Sequence, residues 1–182
     1  DVPGIRDIED LKDPALARRM GEYMQRRLSH GDVPPNLAVC SLVTNAYLLT
    51  GDEKYRRWVL DYVEVWAERA RQNQGLLPDN VGLSGQVGEY CEGHWYGGLY
   101  GWTWPHGFYN LQMAALVAAS CALLLTGDEQ YLELPRRQQD RILELGEVRN
   151  LDDCQMSLTE HWIGQYLALG KQRRTLVVPY RY

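Results

Sequence analysis

The sequence predicts an all-α fold built from helical hairpins, and three observations predict it. The ten-residue stretch Ala46–Tyr55 (AYLLTGDEKY) returns 76 residues later as Ala122–Tyr131 (ALLLTGDEQY). Apolar residues recur at helical spacing through most of the chain, most plainly at Tyr55, Trp58, Val59, Tyr62, Val63, Trp66 and Ala70. No stretch alternates apolar and polar residues as a half-buried strand would, the nearest being Thr175–Val178 near the end. With 182 residues, 45% hydrophobic and 24% charged, the chain suits one domain spanning 1–182 and is far from disordered composition.

Taken in order, residues 11–28 read as an amphipathic helix with Leu16, Met20, Tyr23, Met24 and Leu28 toward the core. A helix at about 36–50 is apolar over most of its circumference and ends at the first corner. That corner is legible as chemistry. Gly51 takes the left-handed position after the helix, and Asp52 caps the next one. Thr50 with Glu53 offers an alternative capping box, as Thr126 with Glu129 does at the second corner. The amphipathic helix beginning near Tyr55 follows. A second apolar helix, 109–126, leads into the second corner, and Pro135 predicts a kink or split within 128–146. Ser157 and Glu160 suggest a cap for a helix at 158–169 that stops at Gly170. Near-fully apolar helices alternating with amphipathic ones imply two layers, one inside the other.

Between the hairpins lies a long connection, 74–107, which is the expected functional loop. It holds nine of the seventeen glycines, the acids Asp79, Glu89 and Glu92, and no Lys or Arg. Long loops inside compact domains are usually functional. This one is crowded with polar-tipped rings, in a chain that has twelve Tyr, six Trp and one Phe. Trp95, Tyr100, Trp102, Trp104 and Tyr109, with Asn80 and Asn110, are the expected substrate-binding residues, because indole and phenol faces give stacking area at little entropic cost. Asp79 is the expected carboxylate of an acid/base pair with Glu89 or Glu92, and Pro78-Asp79-Asn80 is also good turn chemistry. His94, His106 and Tyr96 are expected proton-transfer groups.

Other chemistry is thinly supported. Cys91-x-x-His94 with His106, and Cys154 or His161 beyond, lacks the second well-spaced pair of a zinc site, so no metal and no cofactor is expected. Neither a P-loop, a dinucleotide fingerprint nor a G-x-S-x-G elbow occurs. Cys40 and Cys121 sit in apolar runs and read as core residues. A net charge of −5 argues against nucleic acid and anionic membranes as partners. The longest apolar run, Met113–Leu125, is too short for a membrane span. The opening Asp1-Val2-Pro3 carries no leader, which fits a soluble protein and equally a secreted or periplasmic one with its signal removed.

The corners together with Gly75-Leu76-Leu77-Pro78-Asp79-Asn80-Val81-Gly82 and Trp95-Tyr96-Gly97-Gly98-Leu99-Tyr100-Gly101-Trp102 resemble bacterial members of the α/α-toroid, or six-hairpin glycosidase-like, superfamily over residues 30–135. The resemblance implies a partial toroid, since a full one needs about a dozen helices, and an active site on loops at one end. It implies a carbohydrate-active enzyme: a glycoside hydrolase, a polysaccharide lyase, or a non-catalytic glycan-binding relative. Because the loop has no Lys or Arg, a neutral or weakly charged glycan and hydrolysis by loop carboxylates are favoured over a lyase using His94 or His106 with Tyr96 or Tyr100 and an Arg borrowed from elsewhere, such as Arg56 or Arg141. An open half-toroid would leave apolar helix faces exposed, which predicts a homo-oligomer.

Overall fold

A computed structural model of the protein describes residues 2–28, 30–104, 106–150, 167–168 and 174–177. Five α-helices form the body: α1 (Pro14–Leu28), α2 (Cys40–Thr50), α3 (Glu53–Gln72), α4 (Gly107–Thr126) and α5 (Glu133–Leu145). Short 3-10 helices at Ile8–Lys12, Pro34–Val39 and Glu129–Leu132 lead into α1, α2 and α5. Beyond α5 lies a small antiparallel sheet of β1 (Glu147–Asn150), β2 (Leu167–Ala168) and β3 (Arg174–Val177) in the order β1-β3-β2. The helical class stands, and β3 coincides with the single strand-like stretch in the sequence. The end of the helix expected at 158–169 is instead strand β2, and its remainder, with Cys154 and His161, lies outside the described residues.

The two corners are the same device in space as in sequence. Gly51 and Gly127 are left-handed, with φ of 69° and 75°, and their N–H groups close onto Tyr47 and Leu123. Asp52 accepts from the Lys54 amide and Asp128 from the Gln130 amide. Thr50 and Thr126 donate back to Ala46 and Ala122 and accept from the following Asp amides. The Gly–Asp reading therefore holds over the Thr–Glu capping box. Pro135 splits the element after the second corner into a 3-10 turn and α5, where it occupies the first turn and lacks no needed donor.

The core sits between α3 and α4. Val59, Val63, Trp66 and Ala70 from the predicted face of α3 meet Leu111, Ala115, Ala118 and Ala122 of α4. The run of alanines lets α4 come close to the 3-10 helix Pro34–Val39 and to α2, α3 and α5. Leu76, Leu77, Val81 and Trp102 carry the core into the loop.

Burial departs from expectation on two helices. No residue of α1 is buried, so the expected inward face of Leu16, Met20, Tyr23, Met24 and Leu28 is only partly covered. The apolar helices α2 and α4 are not enclosed either: Leu42, Leu49, Met113 and Leu124 are exposed. Periodicity ranks the faces of a helix, but only the neighbours present decide how many of them are covered.

Candidate functional site

The strip Leu76–Gly82 is the spine on which the loop is built. Val81 exchanges both backbone bonds with Asp32, at 2.7 and 2.9 Å. The Leu77 amide donates to Gln138 on α5 at 3.1 Å, and the Asp79 amide donates to the Trp95 carbonyl at 2.8 Å. Within the strip Leu76 and Asp79 stand at bends and Val81 bridges to Asp32 and Val87, so Pro78-Asp79-Asn80 is a bent stretch tied across to distant segments.

Asp79 is wholly buried, at 0% exposure. Its Oδ1 accepts from the Gly98 amide at 2.8 Å and from Asn80 Nδ2 at 3.2 Å. Its Oδ2 accepts from the Gly97 amide at 3.1 Å and the Trp102 amide at 2.8 Å. Burial pushes its carboxyl above the ordinary range, against the pull of these four donors. Asp79 is thus corrected from a catalytic carboxylate to the hub that folds residues 97–102 around itself. The glycines there are explained by this hub: a Cβ on Gly101 would lie 2.1 Å from Asp79 Oδ2, and one on Gly98 would lie 1.9 Å from the Asp79 carbonyl oxygen. Asn80 is buried too, its Nδ2 donating to the His94 carbonyl and its Oδ1 accepting from the Gly88 amide, so it positions the loop and is not at hand for a ligand.

Trp102 is corrected likewise. It is 1% exposed, donates Nε1 to the Leu77 carbonyl at 2.7 Å and meets Trp95 edge-on, so it is core rather than a stacking platform. Trp95 and Tyr96 are half-buried against the same core.

Of the remaining rings, Tyr100, His106 and Tyr109 are exposed and Trp104 is half-buried. Tyr100 is 52% exposed, with its ring 5.1 Å from that of Trp104. Tyr109 is 49% exposed, with His106 at 6.5 Å. His94 is exposed and stacks on Tyr96 at 4.9 Å and 28°. Asn110 ties α4 to this ledge by donating to the Tyr100 carbonyl. Tyr100 and His106 are both left-handed, with φ of 56° and 65°. A non-glycine residue in that region costs roughly 1–2 kcal/mol, a strain that clusters at functional sites.

The two glutamates lie apart in role. Glu89 accepts from the Ser84 amide and hydroxyl, which hold its carboxyl below the ordinary range. Glu92, left-handed at φ 57°, accepts from the Tyr23 hydroxyl, and that bond lowers its carboxyl. Arg26 and Arg27 each approach Glu92 to 3.8 Å. Tyr23, Arg26 and Arg27 were missed by the sequence reading, and the only signal in the sequence is a basic pair in the last turn of α1.

Among the described residues, no three His, Cys, Asp or Glu side chains are grouped to hold a metal. Cys91 is buried, its thiol pushed up to about 11. A cleft of about 1130 Å³ opens elsewhere, between α3 and α5, and of the residues the sequence analysis singled out for chemistry it is lined by Arg141 alone. Its arginines are engaged by neighbours, Arg71 by Glu64 and Glu68, Arg136 and Arg137 by Glu133, and Arg141 by Glu144.

The model of a family described as "Domain of unknown function (DUF8034)" matches residues 1–181. No curated protein and no solved structure matches the chain.

Proposed function

The chain belongs to the DUF8034 family, and from its own geometry we propose a carbohydrate-active protein, of partial α/α-toroid type, whose outward ring ledge holds a saccharide. One observation carries the reading: a buried, fully engaged hub at Asp79 fixes a glycine-rich loop so that Tyr100, His106 and Tyr109 stand outward, two of them on left-handed backbone, with the half-buried Trp104 beside Tyr100. Folding that strain into place has a use when the rings form a rigid platform, since sugar C–H faces stack on such rings without further ordering. Trp104→Ala and Tyr100→Ala should each weaken glycan-array and calorimetric binding about tenfold, within the span of one well-packed aromatic contact, while far-ultraviolet dichroism is unchanged. Undiminished binding in both variants refutes the ledge.

Two catalytic routes follow from the same loop. Hydrolysis needs one protonated acid and one carboxylate. With Asp79 sealed, it falls to Glu89 and Glu92, both of which are held toward the ionised form. Elimination needs a base and an acid beside a cation, and the His94–Tyr96 stack with the nearby Arg27 favours it. An unsaturated, ultraviolet-absorbing product marks elimination, a saturated reducing end marks hydrolysis, and binding without product marks a non-catalytic module.

A further inference from the structure

The final turn of α1 brings two cations to a loop that has none of its own. Arg26 and Arg27 lie over the Tyr23 ring, their guanidinium carbons 5.2 and 4.5 Å from its centroid. Arg27 Nη1 lies 3.9 Å from where a Cβ on Gly97 would stand, at the middle of the loop between Tyr96 and Tyr100. Both guanidiniums face Glu92 at 3.8 Å, which is an ion-pair distance but longer than a hydrogen bond. Among the described residues, Arg27 Nε is buried without a hydrogen-bond partner. The two planar forks therefore stand beside one carboxylate at ion-pair rather than hydrogen-bond distance.

We infer that Arg26 and Arg27 form an anion subsite of the saccharide ledge, selecting sugars that carry a carboxylate or sulfate group. The inference rests on the ledge reading above and reverses the expectation of a neutral glycan, which came from a loop without Lys or Arg. Guanidinium forks match planar carboxylate and sulfate oxygens, and stacking on Tyr23 reduces the rotamer freedom lost on binding. Glu92 is the internal carboxylate that stands beside the pair until a ligand oxygen takes its place. The net charge of −5 does not prevent this, because exposed charges beyond a Debye length of about 8 Å are largely screened at physiological salt.

The test titrates the chain calorimetrically with a uronic-acid oligosaccharide, its carboxyl-reduced counterpart and a sulfated form of that counterpart. At least one acidic form should bind about tenfold tighter than the neutral one, the worth of one charge-assisted contact. The acidic form that does so identifies carboxylate or sulfate as the source. Arg26→Gln and Arg27→Gln should each erode that preference, with the acidic form losing more affinity than the neutral one, and Arg27→Lys should restore part of it. If Arg27→Gln does not fold, Arg26→Gln carries the test, since its side chain is 58% exposed. Neutral and acidic forms bound equally by the unaltered chain would overturn the subsite and leave the ledge standing. No oligosaccharide bound at all would overturn both.

Discussion

Replacing Asp79 by Asn is the most informative single change. The side chain keeps its shape but loses one acceptor. One Asn atom can remain a carbonyl oxygen and accept from the Gly98 amide; the other becomes an NH2 facing the Gly97 and Trp102 amides, now 3.1 and 2.8 Å away with nothing to accept them. Each orphaned buried donor costs about 1–3 kcal/mol, so the change should cost on the order of 2–6 kcal/mol, offset in part because no charge is then buried. That is a large share of the roughly 5–15 kcal/mol by which domains are stable. Asp79→Ala should cost as much or more, because all four donors lose their acceptor. Urea unfolding followed by dichroism measures the global loss, and tryptophan emission follows the loop through Trp95 and Trp102. A variant Asp79→Asn that unfolds at the same urea concentration as the parent would refute the hub. If that same variant bound glycan but lost turnover, Asp79 would return as a catalytic group.

Trp102→Ala should destabilise the whole fold by about 3–5 kcal/mol, the usual cost of emptying a buried aromatic site, as read from the urea midpoint. Gly101→Ala should disrupt the loop comparably, because the added methyl would meet the Asp79 carboxylate rather than a flexible chain end. Cys40 and Cys91, with thiols raised to about 12 and about 11, should resist iodoacetamide in the native protein at pH 8.5 and react on denaturation, as peptide mass mapping would record. Because Glu92 is lowered in the folded state, the stability it adds is present above its ordinary carboxylate pKa and is lost as pH falls through the folded value. The difference in urea midpoint between parent and Glu92→Gln should therefore shrink below about pH 4, near the reference carboxylate range.

Much of the frame is written locally. The Thr-Gly-Asp corners, the buried stripe of α3 and the ring-rich character of the loop need only a few consecutive residues, because left-handed glycine, an Asp cap and 3.6-residue spacing act within a turn or two. The same local reading placed Asp79 at a site mouth and Trp102 on a platform, since sequence shows that a residue is polar or aromatic but not what surrounds it. The partners that bury Asp79 stand 18, 19 and 23 residues along the chain, and those that bring Tyr23 to Glu92 are 69 apart.

What the sequence determined by itself is therefore where helices start and stop and where the chain concentrates glycines and rings. Tertiary structure alone decided which acid is sealed, which rings face water, and that the end of α1 brings a basic pair to a loop without Lys or Arg. The physical reason is that propensity and capping are short-range, whereas burial and charge pairing depend on which distant segments the fold brings together.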